Sequence, residues 1–226
     1  MSEAAPGYPD EIAYVSPERA RLAEAARALI DAVMTTPDAT AEQLSAAATH
    51  IEATTLELVG DVDRRQLRDG TLRSHGDYLP RSPVVGQASP LAPGSIDWEL
   101  VDDPAHEGWK HCVATGTLTA AYEGPPRFVH GGIVALFFDE ILGIANIASG
   151  CPGMTGSLTV KYRRPTPLFQ TLRWEGWVEE VHGRRVRSRA TVHHGDVLCA
   201  EADGVFVQPR QELRDEYFGT DGHGAT

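Results

Sequence analysis

Cysteine is scarce in this chain: there are three in 226 residues, Cys112, Cys151 and Cys199, odd in number and far apart. That excludes a disulfide framework, and neither paired C-x-x-C nor H-E-x-x-H spacing is present, so no metal is expected. Positive charge is also short, with 20 Lys and Arg against 32 Asp and Glu and a formal net charge of −12. A phosphate backbone demands a basic surface, so nucleic acid is not expected as a main partner. The opening Met-Ser-Glu-Ala-Ala-Pro lacks the basic start and apolar middle of a secretion signal. Reduced thiols and a cytoplasmic location are the resulting expectation. No G-x-S-x-G elbow and no Walker-type loop appears, which argues against an α/β-hydrolase or a P-loop enzyme. No apolar run is suited to crossing a bilayer, because the best one is interrupted by Asp139, Glu140 and Asn146.

What remains is ordinary globular composition, 42% hydrophobic and 23% charged. The length suits one domain with an extension. Residues 1–16 read as a loose arm. Ser16-Pro17-Glu18 then supplies an N-cap, a first-turn proline and a first-turn acid, predicting a helix that stops before Pro37. Asp38-Ala39-Thr40 opens a second helix ending near Gly60, and the two form a helical hairpin. Leu22, Leu29, Val33, Leu44, Ile51 and Leu56 give that hairpin apolar positions in need of a partner surface. Residues 61–94, rich in Arg, Asp, Gly, Ser and Pro, read as a long connector, with Val84, Val85 and Leu91 placed to lie across a groove. After Gly94 the pattern turns to strands: 95–102, 110–122, 155–163, 171–181, 185–193 and 197–207, with an apolar helix over 131–149 between the second and third. Glycines at 183 and 195 mark hairpin turns. This is an α+β domain, an antiparallel sheet wrapped around one central helix, over residues 95–208. Residues 1–94 form its helical extension and connector, and 209–226 a flexible tail.

The helix 131–149 carries the chemistry. It opens with His130-Gly131-Gly132, and its glycines leave backbone N–H groups that a ligand can approach closely, at the end where the helix dipole favours negative charge. Two turns on, Asp139 and Glu140 interrupt Ile133, Val134, Leu136, Phe137, Phe138, Ile141 and Leu142, apolar residues that cover nearly the whole circumference. A carboxylate there must be paired, wet or functional. Adjacent helix positions point about 100° apart, so the two acids cannot serve one site equally. Glu140 is left to pair with a basic group or to face another subunit. A lone sheet on one helix also leaves edges and part of the helix uncovered, which a second copy would remedy.

The chain resembles the hotdog-fold acyl-CoA thioesterase superfamily, in particular its PaaI-like branch. The resemblance rests on His130-Gly131-Gly132, on Asp139 nine positions after that histidine, and on Pro152-Gly153-Met154-Thr155 followed by Ser157 to Pro165. It implies hydrolysis of an acyl-CoA to free acid and CoA. The N–H of Gly131 or Gly132 would polarise the thioester carbonyl. Asp139 would act as base on water or attack directly, Thr155 would position the water or Asp139, and His130 would be a positioning residue. It further implies a homodimer or homotetramer whose sites combine one copy's helix start with the other's acid. No cofactor is expected beyond the CoA carried by the substrate. Lys161, Arg163 and Arg164, with Arg184, Arg185, Arg187 and Arg189, would offer a rim for CoA phosphates, or else simply charged strand edges. A non-catalytic acyl-CoA-binding module and a hotdog enoyl-thioester hydratase are the alternatives. Intact Asp139 and Thr155 speak against the first, and His130 with Asp139 does not reproduce the acid–histidine arrangement of the second.

Overall fold

The computed structural model describes residues 15–59 and 82–210. The loose arm, the first part of the expected connector and nearly all of the tail lie outside them. Helix α1 spans Pro17–Thr35, and the Ser16 hydroxyl caps it by accepting from the Arg19 N–H at 3.3 Å. Helix α2 spans Ala41–Val59. A reciprocal capping box starts it: Gln43 N–H donates to the Thr40 hydroxyl at 3.2 Å, and Thr40 N–H to the Gln43 side chain at 2.9 Å.

Both expected helices are therefore present, but they differ in how they pack. Helix α1 buries Ala23 and is tied to the domain through Arg27, whose Nη1 donates to the Ser89 carbonyl at 2.9 Å, and Asp31, which accepts from the Thr119 hydroxyl at 2.7 Å. In α2 the side chains of residues 41–58 are all exposed, Leu44, Ile51 and Leu56 included.

The domain proper holds strands β1 (Asp97–Asp102) and β2 (Lys110–Thr117), helix α3 (Gly131–Ala148), then β3 (Met154–Tyr162), β4 (Thr171–His182), β5 (Arg185–His194) and β6 (Val197–Val207). All neighbours pair antiparallel, in the order β1-β2-β4-β5-β6-β3. The antiparallel α+β sheet around one helix is as expected. Gly183 and Gly195 sit at φ +57° and +56° and turn the β4–β5 and β5–β6 hairpins, a conformation side chains disfavour. One boundary differs. The second strand ends at Thr117, not Tyr122, because the chain buries Leu118 and coils into a 3₁₀ turn, Ala120–Tyr122, on its way to α3.

Helix α3 lies across the inner face of the sheet. Its Phe137 ring stacks on Trp174 of β4 at 4.7 Å and Phe138 meets the same indole edge-on at 5.4 Å. Val186, Ala190 and Val192 of β5 and Ala202 and Phe206 of β6 complete the core. Eight α3 side chains are buried, Val134 through Asn146. One side of the helix stays open: Leu136 is 37% exposed, and Gly132, Asp139 and Gly143 also reach that side. Residues 82–94 are likewise more than a surface connector. Ser82, Val84, Ser89 and Ala92 are buried, Val84 completely.

Candidate active site

The His130-Gly131-Gly132 start behaves as its chemistry demands. His130 is the N-cap of α3, and its ring Nδ1 accepts from the Gly132 N–H at 3.0 Å. The Gly131 N–H, at the first helical position, has no intrahelical acceptor. Of the two glycine donors the resemblance implies, Gly132 is therefore occupied by the histidine, while the Gly131 N–H has no acceptor among the described residues. The phenol of Tyr162, at the end of β3, donates to the Gly131 carbonyl at 2.8 Å. Tyr162 falls within the Ser157 to Pro165 stretch, where the family resemblance implies no role for it.

Asp139 lies two turns along, on the open side of α3. The Thr155 hydroxyl, at the start of β3, donates to its Oδ1 at 2.8 Å. The expected Thr155–Asp139 pair is thus formed within one chain. A register irregularity between Thr155 and Ser157 accompanies it on the edge strand.

Glu140 points elsewhere and meets no basic group among the described residues. The Ser82 hydroxyl donates to its Oε1 at 2.6 Å while accepting the N–H groups of Val84 and Val85 at 3.1 and 3.2 Å. Burial raises the Glu140 carboxyl above its ordinary proton affinity, the Ser82 bond opposes this, and the Asp139 charge adds to it. The same carboxylate, after burial itself, helps push the Cys112 thiol up to about 12. No sequence signal links Ser82 to Glu140, since 58 positions separate them.

The sign of that shift gives a stability test. The folded protein holds the Glu140 proton to higher pH than the unfolded chain does, so stability falls as pH rises through that window. Glu140→Gln keeps an oxygen for Ser82 and removes the charge. Its melting temperature should exceed wild type at pH 8 and converge on it near pH 4. A lower melting temperature at pH 8 would mean that the charge itself is needed there.

The basic residues divide. Alternation along β3 turns Lys161 away from the face on which Tyr162 reaches α3, and Lys161 pairs with Asp203 at 3.2 Å. Arg163 pairs with Glu201, and lowers its carboxyl affinity for protons. Arg187 pairs with Glu180 at 3.5 Å, and Arg189 with Glu179 and Asp203 at 3.3 and 3.5 Å. These are lattices of a charged sheet face. Among the described residues, Arg164 has no acidic partner: its guanidinium donates only to the Arg163 carbonyl, at 2.9 Å. A cleft between α1 and residues 85–96, lined in part by Arg21, Glu24 and Arg27, touches none of the candidate site residues.

Residues 126–201, from just before α3 to β6, match the family described as the Thioesterase superfamily. Over 89 residues the chain is 37% identical to the acyl-coenzyme A thioesterase THEM4 of Xenopus laevis, covering 38% of this chain and 40% of that one. Over 88 residues it is 31% identical to the mouse (Mus musculus) THEM4, covering 38% of each. The matched region spans less than half the length of these curated relatives. A thioesterase superfamily protein of known crystal structure aligns over 84% of this chain and 94% of its own, at 31% identity and a TM-score of 0.69. With that much of a solved member matched in sequence and fold, the chain belongs to the thioesterase superfamily.

Proposed function

We propose that this protein is an acyl-CoA thioesterase that hydrolyses acyl-CoA to free acid and CoA. The observation that carries the reading is the Asp139 carboxylate, held by the Thr155 hydroxyl at 2.8 Å on the open side of a helix whose first N–H is free of intrahelical acceptors. Relatives bearing the name acyl-coenzyme A thioesterase support the substrate class.

The chemistry balances simply. Asp139 takes a proton from water while the oxygen adds to the thioester carbon, or its own oxygen adds first and water then cleaves the mixed anhydride. In both routes the carbonyl oxygen becomes an oxyanion that a helix-start N–H stabilises. The C–S bond breaks, and the thiolate leaves as CoA and takes up a proton. Thr155 donates to Oδ1, so the other carboxylate oxygen is the one that faces the reaction.

Eight positions separate Gly131 from Asp139, about 12 Å along the helix at about 1.5 Å per residue. A reacting carbonyl must lie within about 3 Å of both donor and acid, so a single chain cannot close the site. We therefore propose a homodimer, or a homotetramer built from it, in which Gly131 of one copy faces Asp139 of the other. The exposed β3 edge, with Met154 and Tyr162 more than half exposed, and the open side of α3 around Leu136 are the surfaces such a pairing would cover. Arg164 is a basic group available to meet CoA phosphate, as are Arg184 and Arg185, since no acid among the described residues neutralises them.

Incubating the purified protein with a panel of acyl-CoAs and a thiol reagent tests the reading. Thiol release across part of the panel is expected. Binding without release would identify a carrier module, and hydration of an enoyl-CoA without release would identify a hydratase.

A further inference from the structure

We infer that Tyr162 is a positioning residue that aims the Gly131 N–H at the thioester carbonyl. The inference rests on the thioesterase reading above and concerns the peptide unit joining Gly131 to Gly132. The carbonyl of that unit accepts the Tyr162 phenol proton at 2.8 Å. The N–H of the same unit donates to His130 Nδ1 at 3.0 Å. One peptide plane is thus gripped at both ends by side chains, from β3 on one side and from the helix cap on the other.

The grip matters because of the residue it holds. Glycine has no Cβ and little intrinsic preference for one backbone conformation, so its own φ and ψ do not fix where its N–H points. Locking the peptide plane that follows Gly131 restrains those angles from outside. The Gly131 N–H, in the preceding plane, then has a set direction before substrate arrives, which is what electrostatic stabilisation of an oxyanion requires.

Tyr162 is itself well supported. It pairs across the ladder with Ala200, and the next two backbone N–H groups, of Arg163 and Arg164, donate to the Cys199 carbonyl at 2.7 and 2.9 Å. Strand β3 therefore holds α3 twice, by Thr155 at the acid and by Tyr162 at the glycine. A Cβ at position 131 would sit 3.3 Å from the phenol oxygen and 3.4 Å from the ring carbon bearing it.

A double-mutant cycle on the full chain, read as kcat and KM with an acyl-CoA that the wild type hydrolyses, tests this. Tyr162→Phe removes one hydrogen bond and should lower kcat about 3- to 10-fold with KM unchanged, the size of a typical net hydrogen bond. Its melting temperature should fall by less than about 2 °C, because the ring remains in place and water can reach the Gly131 carbonyl beside a tyrosine that is 56% exposed. Gly131→Ala should lower kcat more in the Tyr162 background than in the Tyr162→Phe background, since the phenol oxygen is the nearest atom to the new Cβ. A wild-type kcat in Tyr162→Phe, a kcat loss matched by lost thermal stability, or strictly additive effects would each overturn the positioning role. If those results appear while Asp139→Asn is inactive, the thioesterase reading stands and only this inference falls. If wild type releases no thiol from any acyl-CoA, both fall.

Discussion

Asp139→Asn should lower kcat by at least about 10²-fold while KM and the far-ultraviolet circular dichroism stay near wild type. The magnitude is that of removing a general base or nucleophile, and the amide is isosteric with the acid it replaces. The fold should tolerate the change because Asp139 lies on the open side of α3. Thr155 can still donate to the remaining amide oxygen. Thr155→Ala should cost less, about 10-fold, since its hydroxyl orients Oδ1 and takes no proton from water. Initial rates of thiol release, corrected for folded fraction, check both. If Asp139→Asn kept its activity and Glu140→Gln lost it, the working acid would be the one bonded to Ser82, and the site would lie between α3 and residues 82–85 instead of beside β3.

Local structure was legible in this chain because local physics fixes it. Ser16-Pro17 and the Thr40/Gln43 box place two helix starts through contacts three residues apart. The hairpin glycines at 183 and 195 impose their turns whatever surrounds them. The Asp139–Thr155 pair was also accessible, but through family resemblance, because nothing in the spacing of 16 residues forces a helix acid to meet a strand hydroxyl. What the sequence could not supply were contacts decided by packing. Ser82 with Glu140, Arg27 with Ser89 and Tyr162 with Gly131 join segments 58, 62 and 31 positions apart. The basic residues show the same limit from the other side. Their clustering along the chain suggested a phosphate rim, yet diagonal contacts between neighbouring strands pair Lys161 with Asp203 and Arg163 with Glu201, and only then is it visible that Arg164, like Arg184 and Arg185, has no acidic partner among the described residues. The apolar composition of helix α3, covering nearly its whole circumference, does not say which side is left open. A hydrophobic side chain on the open side is indistinguishable, in sequence, from one facing the sheet.

That open side leads to the second large effect. If each site takes Gly131 from one copy and Asp139 from the other, two dead variants should restore each other when mixed. Gly131→Val is expected to fail because its branched side chain, grown from a Cβ already 3.3 Å from the Tyr162 phenol, crowds the contact that holds the helix start. Asp139→Asn fails for want of the acid. In a dimer of one Gly131→Val chain with one Asp139→Asn chain, the intact glycine of the second faces the intact acid of the first, and the other site carries both lesions. Random mixing makes about half the dimers mixed, each with one working site, so thiol release should recover to about one quarter of wild type. Unfolding and refolding the two variants together, with each refolded alone as control, measures this directly. Recovery from about 1% or less to about 25% is a change no single-chain site can produce, because a chain carrying either lesion would stay inactive whatever it is mixed with. No recovery, from variants that native mass spectrometry shows to have formed mixed dimers, would place glycine and acid in the same subunit's site and remove the argument for a composite one.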